Sequence, residues 1–190
     1  MLQKLRNLSP VLLAIFIGGC LSGTHLVRPE PDSLKNGQTK YSPIIERFGI
    51  PWGRRTIVKN EKTIEQIFYF YAPAGFAAGR TLGFYFFNDV LVGHEYASSS
   101  REDSTKFDDS KISQIIKGKS TRAEVTALVG RPGGFYIYPM IKPQSGEAAV
   151  YKYLETLPSL LQPSASWKSL VVTFDASGLV TDVEYSPSAN

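Results

Sequence analysis

The stretch from Ile112 to Pro132, ISQIIKGKSTRAEVTALVGRP, constrains what this chain can fold into more than any other. Ile112, Ile115 and Ile116 fall at i, i+3 and i+4, and so do Val125, Leu128 and Val129, so each trio predicts one apolar helical stripe. Gly118 allows a break in helical geometry between them. Thr121 and Glu124 have the spacing of a capping box, in which the hydroxyl and the carboxylate each satisfy a free backbone N–H. Gly130 predicts a left-handed stop and Pro132 bars continuation. The unit reads as helix, tight turn, capped helix and stop.

The same unit occurs earlier in the chain. An ungapped shift of 81 residues places Leu34 on Ile115, Gly37 on Gly118, Thr39 on Ser120, Ile44 on Val125, Phe48 on Val129, Gly49 on Gly130 and Pro51 on Pro132. The residues downstream of each unit repeat as well. Tyr69-Phe-Tyr71 matches Tyr151-Lys-Tyr153, and FFNDVLVGHEYAS, closing around Glu95-Tyr96, matches FDASGLVTDVEYS, closing around Glu184-Tyr185. The pattern is that of a tandem duplication of roughly 80 residues.

Residues 1–19 read as a leader: Lys4 and Arg6 are a basic start, Val11 to Ile17 an apolar core too short for a comfortable membrane span, and Ile17-Gly-Gly-Cys20 a small-residue end. That end resembles a bacterial lipobox, in which the Cys becomes the first mature residue and carries a lipid. A lone Cys can also be a small buried hydrophobe, but here Cys20 is the single cysteine and stands at the lipobox position. Leu21 follows it where Asp would resemble an inner-membrane retention signal, so outer-membrane sorting is expected. Without Lys4 and Arg6 the 21 basic residues become 19, against 17 acidic ones, and they are interspersed rather than clustered. Nucleic acid is therefore not an expected partner. A single Cys also rules out a disulfide framework, so stability must come from apolar packing, in one bilobal domain or two small ones.

Residues 20–33 read as a tether, 34–98 as the first repeat, 99–110 as a polar linker and 111–187 as the second repeat. The predicted fold class is α+β: two tandem ααβββ repeats, with helices packed on one face of an antiparallel sheet. Strands are expected at about 64–71, 81–88 and 90–98, then 134–139, 148–154, 168–175 and 179–186, with a long loop over 155–166. Asn88-Asp89 and Asp175-Ala-Ser-Gly178 supply hairpin turns. Phe84-Tyr-Phe-Phe87 is aromatic on both faces, so that strand is either buried twice or exposes rings.

The spacing Ile-x-x-Ile-x-x-Gly-Lys-Ser-Thr-x-x-Glu-Val-x-x-Leu-x-Gly-x-Pro, with strands after it and a lipobox before it, resembles the SmpA/OmlA family of small outer-membrane lipoproteins, which includes the BamE-like lipoprotein of the β-barrel assembly machine. In tandem duplication it is similar to the β-lactamase inhibitory protein fold. Gly37, Gly49, Pro51, Gly118, Thr121, Glu124, Gly130 and Pro132 are the structural residues of that motif.

Few residues offer chemistry. Gly118-Lys-Ser lacks both the earlier Gly and the preceding strand of a phosphate-binding loop. His25 and His94 have no ligand-spaced partners, so no metal is expected. No nucleophile and base pair is evident, and Glu95 and Glu184 read as repeated, solvent-facing strand residues rather than a catalytic pair. The expectation is a non-enzymatic lipoprotein without cofactor beyond the lipid on Cys20, facing the periplasm from the outer membrane. It would bind an envelope protein, with no small-molecule substrate, in assembly or maintenance of the membrane. The alternative is an inhibitor that binds an enzyme through an open sheet face. Tyr69, Tyr71, Tyr85, Tyr151 and Tyr153 are the candidates for partner contact, with Phe135, Tyr136 and Tyr138 beside them, since a flat ring costs little side-chain entropy on binding. The same rings would equally suit a core.

Overall fold

Strand alternation, not helical periodicity, governs most of the chain. The computed structural model describes residues 26–72, 79–103, 105–157 and 164–187. Helix α1 (Tyr41–Phe48) leads into strands β1 (Gly53–Lys59), β2 (Lys62–Tyr71), β3 (Arg80–Phe87) and β4 (Val90–Ser98). Helix α2 (Arg122–Val129) leads into β5 (Gly134–Tyr136), β6 (Glu147–Leu157), β7 (Ser164–Phe174) and β8 (Val180–Ser186). All eight strands form one sheet in sequence order with antiparallel neighbours. Because β5 has only three residues, β4 runs past it and pairs directly with β6 in parallel, at Ala97↔Lys152 and Ser98↔Tyr153.

This overturns the expected pair of ααβββ repeats with helices covering a sheet face. Among the described residues there are two α-helices of eight residues each, and the molecule is built mainly from the single sheet. The first helix of each expected pair fails for a local reason. Gly37 and Gly118 adopt φ +79° and +73°. Each turns the chain so that its N–H bonds a hairpin carbonyl, of Leu91 at 2.7 Å and of Val180 at 2.7 Å, and Leu91 and Val180 bond back to Thr39 and Ser120. Backbone groups that a helix would use internally are spent on the sheet. Asp109–Gln114 is a 3-10 turn with three residues per turn, so Ile112 and Ile115 pack inward while Ile116 points out, half exposed. The first half has a fourth strand, β1, which precedes the first expected strand at 64 and forms a hairpin with β2. Both ends of the expected loop over 155–166 are strand, β6 reaching Leu157 and β7 starting at Ser164, and 158–163 lie outside the described residues.

Other local readings hold. Thr121 Oγ1 accepts from the Glu124 N–H and the Glu124 carboxylate accepts from the Thr121 N–H at 2.7 Å, closing the capping box. In α1 the equivalent position of Glu124 is Pro43, which has no N–H to cap, and no side chain caps that helix. Gly49 and Gly130 end the helices with φ +77° and +88° but extended ψ, not the left-handed helical stop. Nothing lies within 4 Å of a Cβ built at either, so backbone angle rather than space demands glycine. Asn88-Asp89 turns the β3–β4 hairpin with both φ positive, and Asp175 Oδ1 organises the β7–β8 turn through the Ser177 and Leu179 N–H groups.

Register places Ile67, Phe84, His94, Phe135, Ala149, Val172 and Val183 on one face. At one end Ile44, Ile45 and Phe48 of α1 join Ile67, Tyr69, Leu82, Phe84 and Tyr96 in a core; at the other, Val125, Leu128 and Val129 of α2 join Tyr151, Leu170, Val172 and Phe174. A third core on the opposite face contains Ile64, Tyr85, Val92, Tyr136 and Val150 under Ile137, Met140 and Ile141. Hence Leu82 to Phe86 is buried on both sides. The N-terminal segment and linker also belong to the fold: Leu26 and Leu34 enter the first core, Phe107 the second, and Arg80 and Asp103 form a largely buried ion pair at 2.7 Å.

Candidate binding face

The face without helices divides into three zones along the strands. Near the β1–β2 turn it is closed by Ile137, Met140 and Ile141, and Asn60 Nδ2 donates to the Pro139 carbonyl at 2.9 Å to hold that cover. The middle is polar. The far end is open and aromatic.

The polar middle is centred on Glu95, which alternation and the preceding Gly93 bring under the sheet's two-strand seam. Its carboxylate accepts from Lys152 Nζ at 2.7 Å and from the Tyr136 hydroxyl. Gln66 donates to the Tyr85 hydroxyl at 2.9 Å and accepts from Arg55 Nε at 2.5 Å. Tyr85 and Tyr136 meet edge to face at 5.4 Å. The network thus runs from β1 to β6 and ties both halves together. Glycine makes the room: a Cβ on Gly83 would press Glu95 Cγ at 3.2 Å, and one on Gly93 would lie 2.5 Å from Tyr136 Cδ1. Burial alone would raise the Glu95 pKa, but the Lys152 charge and hydrogen bond, with those of the tyrosines, outweigh it and hold the carboxyl below its ordinary value. Burial first, then the Glu95 charge, pushes Tyr136 and Tyr85 well up. Each group therefore keeps one charge state around neutrality and the cluster acts as a rigid brace. Glu95 is consequently not the solvent-facing residue its repeat position suggested, whereas Glu184 is exposed.

The open end carries a row of rings. Trp52, largely exposed at 72%, packs at a tilt against Phe68 at 5.5 Å and Phe70 at 6.2 Å. Phe68 lies over Gly53, where no side chain could fit, and Gly79 leaves space between Phe70 and Leu154. Leu154 pairs across strands with Trp167. Trp52, Phe70 at 43% and Trp167 at 44% exposure make this the apolar part of the surface on that side.

The expected contact tyrosines lie elsewhere. Tyr69, Tyr85 and Tyr151 are buried, so a partner could not touch them; Tyr71 and Tyr153 are half-buried on the helix side. Burial lifts Tyr69 and Tyr151 to about 12. Of the neighbours, Tyr136 is core and Phe135 packs against the second core. The exposed rings sit one residue out of phase with the named tyrosines, as Phe70 does between Tyr69 and Tyr71. Sequence parity defines two faces without saying which is covered. Trp52, between Pro51 and a glycine, was the one legible hint.

On the helix side of the seam, Arg28, His94, Arg131, Phe135 and the Pro132–Gly134 backbone line a cavity of about 80 Å³. Arg28 donates to the carbonyls of Asp103 at 3.3 Å, Arg131 at 2.8 Å and Pro132, strapping the N-terminal segment across both halves. Burial lowers His94 to about 4 and keeps it neutral. Among the described residues no cluster of His, Cys, Asp or Glu could hold a metal ion, and no helix is long and apolar enough to cross a membrane. Cys20 and His25 lie outside the described residues.

No family model matches the chain, SmpA/OmlA included, and no curated protein matches it. Among solved structures it is similar to a Streptococcus mutans protein described as a candidate beta-lactamase inhibitor protein, at 12% identity and a TM-score of 0.41, over 78% of this chain and 82% of that one.

Proposed function

We propose that this chain is a non-enzymatic outer-membrane lipoprotein, anchored through Cys20, that binds an envelope protein through the open end of its helix-free face. The observation carrying the reading is the exposed Trp52 and Phe70 packed with half-buried Phe68, and exposed Trp167 on the same helix-free face, beside the ionic brace. Exposed aromatic clusters on a stiff scaffold are the usual anchors of protein interfaces, because large rings bury much area at small entropic cost. The lipobox supplies the anchor and the periplasmic compartment.

The test uses the full chain with its leader, carrying a photo-crosslinker in place of Phe70, in intact cells. One stoichiometric adduct is expected, lost about tenfold in Trp52→Ala/Trp167→Ala, and Cys20→Ala should release the protein from the membrane fraction. An adduct unchanged by the double substitution sinks the proposed surface, and a Cys20→Ala protein that stays in the membrane sinks the anchor. An adduct with an enzyme whose turnover falls on binding would instead favour the inhibitor reading.

A further inference from the structure

The two edges of the sheet are open over most of their length: among the described residues β1 pairs with no strand but β2, and β8 with no strand but β7, only the first residue of β8, Val180, being bonded to the Gly118–Ser120 turn. Unpaired edge strands invite pairing unless something discourages it, and charge is the commonest means. Here the charges are sorted by sign. Strand β1, GRRTIVK, bears Arg54, Arg55 and Lys59, all exposed, and no acid; β8, VTDVEYS, bears Asp182 and Glu184 and no base. Two β1 edges would bring like charges together, and so would two β8 edges. A β1 edge meeting a β8 edge would not.

We infer that β8 of one molecule pairs antiparallel with β1 of a second copy of this chain, extending the sheet head to tail. Neighbouring strands alternate in direction from β1 to β8, so a copy added in the same orientation presents β1 antiparallel to β8, as the inference requires. Side-chain parity agrees. By register, Arg55 shares the helix-free face with Gln66, Tyr85, Tyr136, Ala148, Thr173 and Asp182, and therefore with Glu184. Setting Arg55 opposite Glu184 puts Arg54 against exposed Tyr185, Thr56 against Val183 and exposed Val58 against Thr181, with Lys59 diagonal to Asp182. Asp182 is already held by Lys117, which leaves Glu184 as the acid of that edge with no ion pair among the described residues. The contact is heterologous and does not close on itself, so it makes rows of molecules rather than a dimer.

Full-length Cys20→Ala protein carrying Thr56→Cys and Val183→Cys has two thiols that face each other only across this contact. Mild oxidation should give a ladder of dimers, trimers and higher species at micromolar concentration, about fivefold weaker with Glu184→Lys and weaker again in molar salt. Far-ultraviolet circular dichroism confirms that the Glu184→Lys variant is folded. No ladder, an unchanged ladder with Glu184→Lys, or equal crosslinking of protein carrying Thr56→Cys alone would each overturn the inference.

Discussion

At the scale of single residues the seam decides stability. His94 titrates at about 4 against an ordinary 6.5 because burial disfavours its charge. The unfolded chain therefore takes up the proton first, so stability is complete above pH 6.5 and falls as pH drops towards 4, by about 3 kcal/mol in all. Urea unfolding between pH 7 and 4.5 checks this: His94→Gln should flatten that part of the profile whatever it does to stability at pH 7. Glu95→Ala should cost about 3 kcal/mol at pH 7, because it leaves Lys152 and Tyr136 facing a partly buried vacancy; chemical denaturation reads it directly. Neither role was legible in the sequence. His94 and Glu95 looked like an unpartnered histidine and a surface acid, since burial of a strand residue depends on what covers its face, and here Arg28 and residues 131–135 cover His94 while Tyr136 and Lys152 close over Glu95, all of them far along the chain. Local signals fared better. The Thr121 capping box and the Asn88-Asp89 turn involve only neighbours in sequence, and the structure has both.

At the scale of elements, short helices rest on their caps. Thr121→Ala should lower stability by about 1 kcal/mol, measured as a shift in the denaturation midpoint, while Lys40→Ala at the uncapped start of α1 should do almost nothing. The seam strands are less forgiving. A Cβ on Gly134 would overlap the His94 carbonyl and one on Gly133 the Tyr96 carbonyl, so Gly134→Ala should cost about 3 kcal/mol or more through forced separation of β4 and β5, seen as a lower melting temperature. The helical stripes around Gly37 and Gly118 misled for a definite reason. Apolar residues at i, i+3 and i+4 satisfy a turn docked on a hairpin as well as a helix, and the deciding hydrogen bonds go to Leu91 and Val180, 54 and 62 residues further on. The 81-residue match survives in geometry, since both copies build the same glycine turn and the same return bond, although neither builds the expected pair of helices.

At the scale of the whole molecule, one sheet, a shared polar brace and the Arg28 strap leave neither half with a finished surface. Thermal unfolding should therefore show a single transition, with calorimetric and van't Hoff enthalpies equal. Residues 26–98 expressed alone should not fold, since β4 would lose both β5 and β6, and Glu95 would lose Lys152 and Tyr136; two separate transitions, or a folded fragment with dispersed amide resonances, would contradict this. The strap also governs reach. The segment that read as a free tether is seated from Leu26 onward, so five residues lie between Cys20 and a fixed point in the core, and even fully stretched the six steps from Cys20 to Leu26 span no more than about 21 Å. With a lipid on Cys20 the molecule is moored short: it can swing about that anchor, but it meets a partner only within a narrow layer above the bilayer.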